Sequence, residues 1–565
     1  MKKTILLSLM MASMMLSAQN TIYVSTSGLD TNDGLSAGTP VKTFSKAISM
    51  VNTTTTDVVL AAGTYLETAV ATLNAAGSTL VIRGENAKTT IIQQTTAATR
   101  IFVNGAAHRA SNNSLTIKDV TLKGGSFTNG GGPAVNYQET SGFTNDLTLE
   151  RVIFEGNTST TSGTVQQNGG ALTFVGNKLN VNNCYFKNNA VVVGATGTSG
   201  NGFITTGGAI YLVNAKANAT VTPTVYHNGL FVTISNTTFE GNSAVTKGGA
   251  ISVENSNPKS ADALPSSVSL TNCTFFNNKV TKNPLTNGLA DVVTGSAFSA
   301  ATTTVGANPR FDFSFVNCTF SGNKGGGVDG SGSINESSAT IDIDGKNWNK
   351  AIMVNNIIKS TPTANCGAAL MINYKESGKL QGSNNFVESI FTDSIAGPAF
   401  STDLVLHKNV IGAMPNINLN TTLTDNSTAS VFAVPYLEIT TGSSAIDAGT
   451  NGFGDPNIVS NSDARGFVVG GLSKDCGAYE FGGTAGFFQT KQNNALSIYP
   501  NPTLSTLYID SNDVQKVDIY SISGKKLQSV SNAQNTINVA DLESGLYLIN
   551  IKTAGNTYMQ TFIKK

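Results

Sequence analysis

The sequence predicts an all-β protein, a long parallel β-helix followed by a small Ig-like β-sandwich, and three observations carry that expectation. Five aligned copies of a Phe-x-x-Asn motif run through the middle of the 565-residue chain. Charged side chains make up only 12% of it, about half the share usual in soluble domains. From Asn494 onward the texture changes to short alternating apolar runs separated by Asn, Gly and Ser, the pattern of a small sandwich. The 35 basic and 35 acidic residues balance to a net charge of zero with no Lys/Arg-rich block. That excludes a nucleic-acid partner as the default, because phosphate binding needs a basic stripe to displace counterions.

The first element is a secretory signal peptide over residues 1–18. Met1-Lys2-Lys3 supplies the positive start, Thr4 to Leu16 an apolar stretch of 13 residues, and Leu16-Ser17-Ala18 a small-residue cleavage site before Gln19. A spanning helix needs roughly 20 apolar residues, so no transmembrane helix is expected. The first cysteine is Cys184, which argues against an N-terminal lipid anchor.

The repeat comes next. Its copies are Phe154 with Asn157, Phe186 with Asn189, Phe239 with Asn242, Phe275 with Asn278 and Phe320 with Asn323, at Phe-to-Phe spacings of 32, 53, 36 and 45 residues. A second motif interleaves with it, as Gly169-Gly170-Ala171-Leu172, Gly207-Gly208-Ala209-Ile210 and Gly248-Gly249-Ala250-Ile251. In a parallel β-helix equivalent inward residues of successive coils stack about 4.8 Å apart. Phe should therefore lie on Phe and Asn on Asn. Asn tolerates the left-handed backbone at a corner and its amide can bond to the Asn of the next coil. The Gly-Gly pair permits a second bend, and the variable spacing places insertions in flanking loops. The loops from Ala190 to Gly202 and from Lys282 to Arg310 are the expected sites of acquired function.

These paired motifs resemble the repeats of polymorphic outer-membrane proteins and, more broadly, pectin-lyase-like proteins, which implies a right-handed parallel β-helix over residues 19–485. In that light Tyr23-Val24-Ser25, Asp30-Thr31-Asn32-Asp33-Gly34, Thr39-Pro40 and a helical stretch from Phe44 to Val51 look like an N-terminal cap. Val58 to Tyr65 and Leu80 to Gly84 look like the first coils. A cap is physically required, since an open solenoid end exposes apolar core and unpaired edges. At the far end Ser444 to Gly449, Asp463-Ala464-Arg465-Gly466 and Asp475 to Glu480 resemble the closing segment of choice-of-anchor Q proteins.

The tail, residues 494–565, carries Tyr499-Pro500-Asn501-Pro502, then Val517 to Lys525, then Gly545-Leu546-Tyr547 and the basic terminus Lys564-Lys565. These motifs resemble the type A C-terminal sorting domain of the type IX secretion system. The resemblance implies a Gram-negative bacterium, the type IX secretion machinery as partner, and a chain that ends up secreted or on the outer cell surface.

Five cysteines cannot all pair internally. Cys184, Cys273 and Cys318 stand two residues before the repeat Phe, and an inward stack of buried thiols is the preferred reading, with a disulfide between neighbouring coils as the alternative. No zinc-ligand spacing is present, so no cofactor is expected beyond a Ca²⁺ option. Asp30-Thr31-Asn32-Asp33-Gly34 invites calcium, but a turn with side-chain hydrogen bonds fits its spacing better. Asp342 and Asp344 alternate with Ile341 and Ile343 and are expected on one exposed strand face. With Lys346, Lys350 and Trp348 they form the densest charged patch, the candidate polysaccharide-binding site, with Trp348 available to stack on a sugar. A lyase needs a base beside a neutralised uronate, and a hydrolase needs paired carboxylates. The remaining Arg residues, Arg83, Arg100, Arg109, Arg151, Arg310 and Arg465, are scattered. The expectation is thus an adhesin-like or glycan-binding scaffold without catalysis, whose partner is an extracellular polysaccharide or a cell-surface glycan. A polysaccharide lyase or glycoside hydrolase is the alternative.

Overall fold

A computed structural model describes residues 20–485, apart from 141, 162–166, 194–204, 214–228, 255–265, 282–294, 302–310, 326–338, 344–347, 360–369, 373–378, 389, 392–408, 412–413, 415, 428–431, 454–456, 469–470 and 472. It also describes 498–565, apart from 510–513, 522–525, 532–534 and 554–556. The signal peptide and most of the two loops singled out above therefore lie outside the described residues. Two compact units divide after Gly486. Among the described residues no helix is long and apolar enough to cross a membrane.

The first unit is a parallel β-helix. Each coil contributes one strand to each of three long parallel sheets, of eleven, eleven and ten strands, and a shorter five-stranded sheet lies between the second and third. One coil shows the logic: Asn145–Glu150 belongs to the first sheet, Ile153–Glu155 to the second, Thr158–Thr161 to the short sheet and Leu172–Val175 to the third. The inward rings of Phe154, Phe186, Phe239, Phe275 and Phe320 are fully buried and stack with centroids 4.5, 4.9, 4.7 and 4.5 Å apart. That separation is the rung spacing of a parallel sheet, so the backbone ladder and the aromatic column enforce the same register.

The two duties expected of one asparagine are divided between neighbouring positions. The buried Asn157, Asn189, Asn242, Asn278 and Asn323 form the amide ladder, Nδ2 of each donating to Oδ1 of the next at 2.9–3.0 Å. Each Oδ1 also accepts a backbone N–H, as Asn278 Oδ1 does from Asn242 at 3.0 Å, and each Nδ2 donates again to a carbonyl of the preceding coil. The left-handed backbone belongs to the residue before, which reads Gly156, Asn188, Gly241, Asn277 and Gly322, all with φ of 53–67°. At two of the three glycines the cause is steric: a Cβ on Gly241 would lie 2.3 Å from Asn188 Oδ1, and one on Gly322 equally close to Asn277 Oδ1, whereas one on Gly156 would meet nothing within 4 Å.

At the second bend Gly169, Gly207 and Gly248 have φ of 63–81°. Their followers Gly170 and Gly208 are required by close approach, since a Cβ on either would sit 2.0 Å from the next coil's carbonyl oxygen. The cap is a helix, Phe44–Met50, that buries Phe44, Ala47 and Ile48 and is capped by Thr43, whose hydroxyl accepts from Lys46 N. Asp30 accepts from the backbone N–H of Lys42 and Thr43 at 2.8 and 2.9 Å, and Asp33 from Leu35 N–H and the Thr39 hydroxyl. These acids tie loops together.

The second unit holds a three-stranded and a four-stranded antiparallel sheet that share one core of Leu507, Val517, Ile519, Ile537, Ile549, Ile551 and Phe562. Its opening motif is bonded to the last strand, with Asn501 Oδ1 accepting from Ile563 N at 2.9 Å.

Candidate functional site

The second sheet builds the site. From Thr121–Lys123 to Thr274–Phe276 its strands are three residues long, so each presents two outward side chains flanking one inward apolar one. One outward column runs Ile91, Thr121, Ile153, Tyr185, Thr238 and Thr274. The other runs Lys123, Glu155, Lys187, Glu240 and Phe276. Signs alternate along the second column, and opposite charges on adjacent strands support pairing.

A backbone hairpin covers this face. Residues 418–427 and 432–440 run antiparallel through the bridges Leu419↔Ile439 and Thr424↔Tyr436, the two arms of a hairpin over 418–440. Phe432 packs against Ala87, Ile153 and Tyr185, the Thr238 hydroxyl donates to the Pro435 carbonyl, and Lys88 Nζ meets Asp425 Oδ2 at 2.7 Å. Between hairpin and sheet lies a groove of about 500 Å³, floored by Thr121, Ile153, Glu155, Tyr185, Lys187, Glu240 and Phe276 and walled by Thr421, Thr422, Leu423 and Asp425.

Every carboxylate in the groove faces a donor. Lys123 Nζ stands 3.2 Å from Glu155 Oε2, and the Tyr185 hydroxyl donates to Glu240 Oε2. Burial, reinforced by that acidic partner, pushes the Tyr185 phenol well above its ordinary range, so it stays a donor. Burial would raise the Asp425 carboxyl, but Lys88 and Ser427 outweigh it and hold the group below its ordinary value. Lys187 Nζ lies 5.8 Å from the Tyr185 ring centroid.

Of the patch expected around Asp342, the two members whose side chains are described, Asp342 and Lys350, lie on different sheets. Asp342 is 5% exposed, on strand Ile341–Ile343 of the third sheet, whereas Lys350 lies on Trp348–Val354 of the first. Asp344 and Lys346 lie outside the described residues, and the backbone of Trp348 pairs with Phe311. Strand alternation correctly turns Asp342 away from the core, but that outer column is covered: Asn136, Thr173, Tyr211, Ser252 and Ser299 are buried beside it. Alternation distinguishes inside from outside, not outside from solvent.

Three of the arginines serve structure, and Arg310 lies outside the described residues. Arg83 pairs with Asp57 at 3.3 Å, Arg151 with Asp119 at 2.6 Å, and Arg465 with Asp463 at 2.6 Å while lying over the Tyr479 ring. Cys184, Cys273, Cys318 and Cys476 are buried free thiols, so the disulfide alternative is not realised among them. Cys366 lies outside the described residues. Within the sorting motif Tyr499 is 53% exposed and stacks on Tyr508. Gly545 begins the strand Gly545–Thr553, where Leu546 pairs with Ile563, and Tyr547 is buried with its hydroxyl donating to the Glu543 carbonyl.

Residues 497–565 match the family described as the secretion system C-terminal sorting domain. The tail is a type IX sorting domain. Such a domain marks proteins secreted through the type IX system to the cell surface or extracellular space, and it implies contact with that machinery. No curated protein matches the chain.

Proposed function

We propose that this chain is a surface-delivered β-helix scaffold that binds an extracellular glycan in the groove beneath the 418–440 hairpin and leaves it chemically unchanged. The observation that carries the reading is the groove itself, with ions, hydroxyls and the edges of the largely buried Tyr185 and Phe276 rings in its floor. Oligosaccharides are held by such mixed linings, through hydrogen bonds to hydroxyls and stacking on aromatic faces. Binding rather than turnover is favoured because the carboxylates are already matched to Lys123, Tyr185 and Lys88. A glycosidase needs one carboxyl held protonated and another poised against the sugar or a water. A screen of the secreted chain against polyuronates and neutral glycans, with and without Ca²⁺, reading product and retention together, tests this. Retention without product is expected; release of unsaturated or reducing ends would reject it in favour of a lyase or hydrolase.

A further inference from the structure

We propose that the groove selects a zwitterionic glycan, a polysaccharide in which sugars bearing a free amine alternate with sugars bearing a carboxylate. The inference rests on the groove being the glycan site. Its charged column is Glu155, Lys187 and Glu240, set by register on three consecutive strands, with Lys123 continuing the alternation one strand beyond the groove lining. Consecutive strands are spaced about 4.8 Å apart, so charge changes sign at every rung and repeats every second one. An extended polysaccharide advances by about one rung per pyranose unit. Laid along the solenoid axis, such a chain offers each successive sugar to the next side chain in the column. An ammonium then faces Glu155 and Glu240 while a carboxylate faces Lys187. A polyanion would set its carboxylates against both glutamates, and a polycation its ammonium groups against the lysines; like-charge contacts of this kind reject partners.

Both glutamates of the column have partners, Glu155 in Lys123 at 3.2 Å and Glu240 in the Tyr185 hydroxyl of the neighbouring column. Lys123 and Glu155 remain 43% and 36% exposed, and solvent-exposed pairs hold each other weakly, so exchange for ligand ions carries a small penalty. Tyr185 and Ile153 lie in the neighbouring column, buried against Phe432 of the hairpin, and set the floor beside the charges.

The test titrates the full chain with three polymers: hyaluronan, its N-deacetylated form, in which uronate and glucosamine alternate, and chitosan. At least tenfold tighter binding of the N-deacetylated polymer is expected over either single-sign one. Glu155→Gln and Lys187→Gln should each reduce that preference at least fivefold, with the far-UV spectrum unchanged. Equal or tighter binding of a single-sign polymer, or a preference untouched by both substitutions, overturns the inference. Retention of a neutral dextran alone, lost in Thr422→Trp, would overturn the charge register and leave the groove standing. Retention insensitive to Thr422→Trp, or none at all, would overturn both.

Discussion

At the residue scale, the coils are held in register by side chains that satisfy each other in columns. Asn242 has both amide protons and its carbonyl engaged inside the solenoid. Asn242→Asp keeps the shape but removes two donated bonds and buries a carboxylate, and a loss of about 3 kcal/mol is expected from such a change, read as a lowered melting temperature. The ladder was readable from Phe-x-x-Asn because identical residues at one repeat position must stack. The separate corner column was not, because Gly241 and Gly322 answer to a clash with the asparagine of the preceding coil rather than to local preference. Cys184, sealed in the core, has its thiol pushed up to about 12 by burial, so the native protein is expected to resist alkylation at pH 8 and to react fully once unfolded. His108 is fully buried between the Ala75 carbonyl, 2.7 Å from Nδ1, and the Tyr137 hydroxyl, 3.0 Å from Nε2. Burial lowers its pKa against the opposing hydrogen bond to Ala75. The unfolded chain then binds the proton first, so this stability is complete above pH ~6.5 and declines as pH falls toward the lower folded value. Melting curves between pH 7.5 and 5 should flatten in His108→Asn relative to the parent chain.

At the element scale, the coils beyond Phe320 keep the fold with different side chains. The thiol column of Cys184, Cys273 and Cys318 continues as Asn356, Asn385 and Asn409, a second amide ladder with Nδ2-to-Oδ1 distances of 2.8 Å. These copies escape the Phe-x-x-Asn pattern because Ile358 and Val387 replace the ring in the inward column. The closing segment reads the corner asparagines directly: Asn355 exchanges bonds with Thr450, and Asn384 donates to the Ala448 carbonyl at 2.7 Å. The groove's charges were present in the sequence as the residue after each repeat Phe, namely Glu155, Lys187 and Glu240. The hairpin that turns this column into a groove carries no repeat and reaches back more than three hundred residues to Lys88, so no local pattern announces it. Its exposed ion pair contributes under about 1 kcal/mol, whereas Phe432 supplies apolar packing worth roughly 1–2 kcal/mol. Phe432→Ala should therefore speed proteolytic cleavage within 418–440 far more than Asp425→Asn does, while the circular dichroism of both stays that of the parent.

At the scale of the whole molecule, a solenoid that repeats one coil offers a rigid outer face on which a function can be written one rung at a time, and the sorting domain supplies the address. The two units have separate cores, so removing residues 497–565 is expected to leave the β-helix spectrum intact while the chain stays inside the cell, as fractionation would show. The central claim is that the groove on the second sheet binds a glycan. It is tested most directly by titrating the secreted chain and its Thr422→Trp variant, which fills the groove from the exposed wall, with the glycan retained most strongly in the screen. At least tenfold weaker binding by the variant, with an unchanged melting temperature, is the expected result; equal affinity of the two proteins would contradict the claim and move the search for a partner to another face of the solenoid.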